Sequence, residues 1–168
     1  MYKRQNLGIE KTEDWATKLV SNFARTPQGN DRSQLMAVAN GLADVAIANT
    51  YYIGIMLAGK GGEEQLKAAR KLKIAFPNQD NRGAHVNISG GGILKHSPNK
   101  DNAEKFLEFL LTKEAQEHIV NNSFEYPVID TISPHPIIAG FGDFKMDKTP
   151  VSDFGKYNPE AVSYTHLT

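Results

Sequence analysis

Asp44-Val45-Ala46-Ile47-Ala48-Asn49-Thr50-Tyr51-Tyr52-Ile53-Gly54-Ile55-Met56-Leu57 is the stretch on which the reading of this chain turns. Asp44 to Ala48 has the apolar, β-branched character of a short buried strand, and Ile53 to Leu57 that of a helix start. Tyr51 and Tyr52 then stand at the carboxyl end of a strand, where open α/β sheets place their ligands. Neighbouring side chains of a straight strand point to opposite faces, but at a strand-to-helix corner they can converge. Two converging phenols, once ionised, are hard anionic oxygen donors suited to a hard cation, above all ferric iron. A free phenol has a pKa of about 10, so the cation must supply the positive charge that ionises it at neutral pH. Adjacent tyrosines also occur as plain packing or surface residues, and spacing alone does not separate these readings.

Upstream, Thr12 is placed to cap a helix carrying Trp15, Leu19 and Phe23 at i, i+4, i+8, with Glu13 and Asp14 in the first turn where the helix dipole favours them. Pro27-Gln28-Gly29-Asn30 reads as a loop. Asp31 is then expected to cap a second helix with Leu35, Val38, Ala39 and Leu42 on one face, closed by Asn40-Gly41. Helix, strand and helix in this order predict a unit of an α/β sheet.

Downstream, Gly59 to Gly62 is a turn, Glu63 to Leu72 an amphipathic helix, and Lys73 to Phe76 a short strand stopped by Pro77. Ala84 to Ser89 alternates as a strand, which Gly90-Gly91-Gly92 breaks or bulges. Asp101 to Leu111 and Lys113 to Asn122 are predicted helices, with Phe106, Leu107, Leu110, Ala115 and Ile119 apolar. Beyond Tyr126-Pro127-Val128 the richness in Pro, Gly and Asp predicts an extended, loop-heavy segment.

The chain carries little other chemistry. His85, His96, His118, His135 and His166 form no spaced ligand pair, and there is no Ser-based nucleophile elbow. Gly90-Gly91-Gly92 could cradle an anion through backbone amides, or simply kink the chain. Arg25, Arg32 and Arg82 lie in or beside loops and are candidates for a cleft wall, with solvated surface as the ordinary alternative. With 168 residues, 40% hydrophobic and 23% charged, the chain can build a real core. Zero formal net charge gives no reason to expect nucleic acid or an anionic membrane surface as partner. Cysteine is absent, which excludes disulfides and thiolate metal sites.

The ends read as foreign. Met1-Tyr2-Lys3-Arg4-Gln5 and Val162-Ser163-Tyr164-Thr165-His166-Leu167 back-translate to strings that share a segment in reverse complement, as a transposon-type sequencing adapter would. Residues 1–5 and 162–168 are therefore expected to be adapter translation, with native sequence over 6–161.

Asn22-Phe23-Ala24-Arg25, Pro27 through Asp31, Val38-Ala39-Asn40-Gly41, Asp44 through Tyr52 and His85 through Gly90 together resemble the ferric-iron-binding proteins of bacterial ABC transporters, most of all the cyanobacterial-type periplasmic iron binders. Asn102 through Leu110, Glu114-Ala115-Gln116 and Tyr126-Pro127-Val128 are similar to the carboxyl-terminal lobe of extracellular solute-binding proteins in general. The resemblance implies an α/β fold of the type II periplasmic-binding-protein kind, of which residues 6–161 would be a fragment, mainly the carboxyl-terminal lobe. It implies a non-enzymatic, monomeric binder in the periplasm, or lipid-anchored outside the cytoplasm, that delivers Fe³⁺ to an inner-membrane ABC permease. Tyr51 and Tyr52 match the family's iron-binding tyrosine pair, and the remaining ligands of the family have no counterpart in this chain. Some relatives complete the shell with phosphate or carbonate. Asn49 matches an anion-contacting asparagine of the phosphate type, whereas Asp31 stands where that type has an asparagine, and its carboxylate would repel an anion. Asn49, Asp31 and Arg82 are thus the candidate cleft or anion-contacting residues, and the departure at Asp31 favours an all-protein shell. The same fold could instead hold a polyamine, thiamine or sugar, with the tyrosines stacking or hydrogen bonding. An α/β enzyme on this architecture lacks an acid–base pair or nucleophile to support it.

Overall fold

The amphipathic segments fold into helices close to where their periodicity places them. The computed structural model describes residues 8–156, and the proposed adapter segments lie outside them. The helices are α1 (Ile9–Ser21), α2 (Asp31–Ala39), α3 (Thr50–Leu57), α4 (Glu63–Ala69), α5 (Lys100–Leu110), α6 (Lys113–Ser123), α7 (Pro136–Ala139) and α8 (Val151–Lys156). The chain gathers into two compact units. One comprises the residues up to Pro27, Phe76–Val86 and Phe144 onward; the other comprises Gln28–Ala75 and Asn87–Asp143.

Two caps differ from expectation. Thr12 does not open α1: the helix begins at Ile9 after Gly8, and the Thr12 hydroxyl donates to the Gly8 carbonyl at 2.7 Å. A threonine within the first turn can satisfy its hydroxyl on the carbonyl four residues back, so it needs no capping role. Asn30, not Asp31, caps α2; its side chain accepts from the Ser33 N–H at 3.2 Å while the Ser33 hydroxyl accepts from the Asn30 N–H. This reciprocal box satisfies two helix-end donors and releases the Asp31 carboxylate for another task. At the far end, Asn40 and Gly41 (φ 75°) close α2 as read.

The three segments read as strands, 44–48, 73–76 and 84–89, form no ladder among the described residues. Their sole pairing there is a parallel bridge between Ala84 and Met146, made by Ala84 N–H to Lys145 O and Asp147 N–H to Ala84 O, both 2.8 Å. A strand is a property of a pair, and alternation without a neighbour cannot become a sheet. Nor is 44–48 buried as read: Ala46 and Ala48 are half-buried, but Val45 and Ile47 are 80% and 74% exposed. The segment after Val128, read as extended, contains the short helices α7 and α8; Pro136 at the start of α7 is preset for a first helical turn.

In the unit holding residues 28–75 and 87–143, α2, α3 and α4 pack on one another and α3 also meets α7. Leu35, Ile53, Met56, Ala68 and Ala69 form the core, lined by Ala48, Tyr52, Leu57, Ile74 and Phe141 among others. The apolar face of α5 is less covered, with Phe106 and Phe109 exposed.

In the other unit Phe76 and Phe144 stack at 4.2 Å, and the Arg82 Nε lies 3.2 Å from the Asp147 carboxylate, which is almost fully buried. Burial alone would push the Asp147 carboxyl up. The Thr149 hydroxyl and N–H, at 2.7 and 2.9 Å, with the charges of Arg82 and His85, outweigh burial and hold it below the usual carboxylate range. A carboxyl with a depressed folded-state pKa gives stability that is complete above its unfolded value of about 3.9 and is lost as pH falls through the folded value. The chain should therefore melt at lower temperature as pH drops below about 4, and Asp147→Asn should flatten part of that fall. Thermal melts of both followed by circular dichroism check this; parallel pH profiles would contradict it.

Candidate metal centre

Thr50, Tyr51 and Tyr52 lie in the first turn of α3, not at a corner before it, and Asn49 is the residue that precedes the helix. Asn49 has extended backbone (φ −75°, ψ 145°), and its side chain makes no capping bond. Its own N–H is held instead by the Asp31 Oδ1 at 3.0 Å. The carboxylate freed by the Asn30–Ser33 box thus pins the start of the tyrosine helix. This replaces the capping role read for Asp31 and brings two of the three candidate anion-contacting residues, Asp31 and Asn49, together. Arg82 belongs to the other unit, where it pairs with Asp147.

Tyr51 and Tyr52 converge. Their ring centroids are 4.3 Å apart with planes inclined by 39°. Successive helical residues point about 100° apart, so the convergence depends on how each ring is held. Tyr52 packs on the core beside Ile53 and Met56. Both rings are half-buried, so the pair is held by packing and still reaches solvent. The start of a helix also favours negative charge, which suits ionised phenols there.

The electrostatics fit a cation. The Tyr51 phenol is pushed up to about 12, first by its hydrogen bond to Tyr52, then by burial, then by the charges of Tyr52, Asp31 and Glu125. Without a cation Tyr51 stays protonated at neutral pH. A high positive charge nearby reverses that preference. No group of three or more His, Cys, Asp or Glu able to hold a metal occurs among the described residues.

Glu125 was missed by the sequence reading. Its neighbour Phe124 ends α6 in the left-handed conformation (φ 60°), is 1% exposed, and packs on Gly54 of α3. That contact sets Glu125 beside the tyrosine helix, where its carboxylate accepts from the Ser89 hydroxyl at 3.0 Å. The only signal in the sequence is an acidic residue just before Tyr126-Pro127; a left-handed phenylalanine is uncommon enough that nothing local announces it. Gly90, Gly91 and Gly92 do not adopt positive φ, and Gly91 instead gives close passage to Leu107. His85 is half-buried in the other unit, its imidazole pushed down by burial against the opposing pull of Asp147. His118 is exposed as read, and His135 accepts from the Ile137 N–H at the start of α7.

Against known proteins, residues 3–117 match the bacterial extracellular solute-binding protein family. The chain belongs to that family. It is 45% identical over 148 residues to iron uptake protein A1 of Synechocystis, covering 88% of this chain and 41% of that protein. It is 35% identical over 115 residues to the major ferric iron-binding protein of Neisseria meningitidis, covering 66% of this chain and 33% of that protein. Among solved structures it superposes on a Trichodesmium protein in complex with iron and citrate (TM-score 0.86, 43% identity), covering 95% of this chain and 50% of that one. It also superposes on a Campylobacter jejuni ferric binding protein (TM-score 0.92, 38% identity), covering 96% and 51%. The fold is thus that of the type II periplasmic binding proteins. This solute-binding protein chain spans about half the length of the relatives it matches. Family membership implies a place outside the cytoplasm. No helix among the described residues is long and apolar enough to cross a membrane.

Proposed function

We propose that this chain is the part of an ABC-type ferric uptake protein that holds Fe³⁺ through the Tyr51 and Tyr52 phenolates. The observation that carries the reading is the convergence of two half-buried tyrosine rings, 4.3 Å apart, at the start of α3. Its chemistry is that of a hard trivalent cation, and the names of the relatives agree. The protein acts as a carrier, not an enzyme. It is periplasmic or lipid-anchored, and its delivery partner is an inner-membrane ABC permease. The Asp31 carboxylate beside Asn49 favours a shell that takes its donors from protein over one completed at this wall by phosphate or carbonate.

Two phenolates offset two of the three charges of Fe³⁺ and supply two of roughly six donors. Titration of the chain with ferric nitrilotriacetate should therefore raise a weak phenolate-to-iron absorption band. A polyamine, thiamine or sugar ligand would instead give binding heat with the organic solute and no such band. Binding heat of that kind, with a flat visible spectrum under excess ferric chelate, would refute the iron reading.

A further inference from the structure

Asp31 is spared for a task outside its own helix. The reciprocal bonds between Asn30 and Ser33 already close the start of α2, so that helix does not need the Asp31 carboxylate as a cap. The approach to Asp31 is tied down as well. The Gln34 amide donates to the Gln28 carbonyl at 2.8 Å. Gly29, in the left-handed region (φ 80°), passes so close to the box that a Cβ there would lie 2.8 Å from the Ser33 Cβ. From this base the half-buried carboxylate reaches a residue eighteen positions on and accepts the Asn49 N–H at 3.0 Å.

The entrance of the tyrosine helix depends on that contact. The Asn49 side chain makes no capping bond, while the Asn49 carbonyl accepts the Tyr52 N–H at 3.3 Å. Asp31, Asn49 and Tyr52 thus form a relay of two hydrogen bonds, and Tyr51 lies within the turn it closes. Leu35 of α2 shares a core with Ile53 and Met56 of α3, but apolar packing is non-directional. A hydrogen bond to one N–H is directional and fixes where the first turn begins.

We propose that Asp31 is a positioning residue of the iron site: it sets the first turn of α3, and through it the directions of the Tyr51 and Tyr52 phenols, without itself binding the ion. The inference rests on the iron reading above. The ordinary alternative is an acidic residue placed in the first turn of α2 for that helix's dipole, which would leave the iron site indifferent to it. Groups that orient metal ligands from outside the coordination shell typically lower metal affinity by about 10- to 100-fold when removed.

The test titrates the full chain and three variants, Asp31→Ala, Asp31→Asn and Asp31→Glu, with ferric nitrilotriacetate, and follows the phenolate-to-iron band. Asp31→Ala should lower Fe³⁺ affinity by at least about tenfold and shift the band maximum, because the phenols then meet the ion in altered directions. Asp31→Asn, whose side-chain oxygen can still accept from Asn49, should keep the parent's band maximum and recover most of the affinity. Asp31→Glu keeps the charge but carries its oxygens one methylene further, and should resemble Asp31→Ala more than Asp31→Asn. In the metal-free chain, the backbone N–H of Asn49 should exchange its hydrogen severalfold faster in Asp31→Ala than in the parent or Asp31→Asn. If Asp31→Ala fails to fold, the ranking of Asp31→Asn above Asp31→Glu decides the matter. An Asp31→Ala chain with the parent's band and an affinity within twofold would overturn the role of Asp31 alone. So would Asp31→Glu matching the parent where Asp31→Asn does not, since charge and not the hydrogen bond would then be what counts. A parent chain without any band would overturn the iron reading and this inference with it.

Discussion

Replacing Tyr51 and Tyr52 together by phenylalanine should remove the phenolate-to-iron band and weaken ferric binding by more than about 100-fold, since both of this wall's hard donors go at once. The rings stay, so the packing of Tyr52 on Ile53 and Met56 is kept and melting should change little. The single variants should each retain a weaker band. The same donors fix the pH dependence. Tyr51 is pushed up to about 12 in the metal-free chain, so it is protonated at every pH below that and gives up its proton when the cation arrives. Each released proton makes affinity fall about tenfold per pH unit of acidification, hence up to about 100-fold per unit for two phenols. Competition against a ferric chelator at several pH values measures the slope. Undiminished iron binding in the double variant, or affinity indifferent to pH, would remove the tyrosines from the site.

The second large effect falls on a residue that touches no ion. Gly54→Leu should destabilise the chain by about 3 kcal/mol or more, lowering its melting temperature by roughly 6–12 °C. A bare Cβ at Gly54 would already lie 2.9 Å from the Ile138 Cδ1 and 3.0 Å from the Phe124 Cβ. Ile138 and Phe124 are among the most deeply buried side chains described, so neither can turn into solvent to make room. The backbone φ of Gly54 is ordinary and only space is at issue. Because Gly54 lies on the same helix as Tyr51 and Tyr52, iron affinity should fall together with stability. A Gly54→Leu chain that melts within about a degree of the parent would show that this contact yields easily.

The sequence was legible where the determinant is local. Periodicity and Asn40-Gly41 placed α2, and Tyr51 and Tyr52 stood out because two phenols at an element boundary are a conspicuous chemical pair. It misled where a choice was shared between neighbours: Asn30 and Asp31 are both good caps, and only the reciprocal bond to Ser33 shows which is used. It was silent where the determinant is distant. Phe124 turns left-handed where it packs on Gly54 of the tyrosine helix, seventy residues away in sequence. The segments read as strands lacked what composition cannot supply, a pairing neighbour, and Val45 and Ile47, read as buried, face outward.

Those two outward aliphatic side chains have a practical consequence. They sit on a segment that forms no ladder among the described residues, and exposed aliphatic side chains on unpaired extended backbone favour self-association. Titrations on this polypeptide should therefore be repeated at several protein concentrations, since a midpoint that moves with concentration would report molecules meeting through this tract.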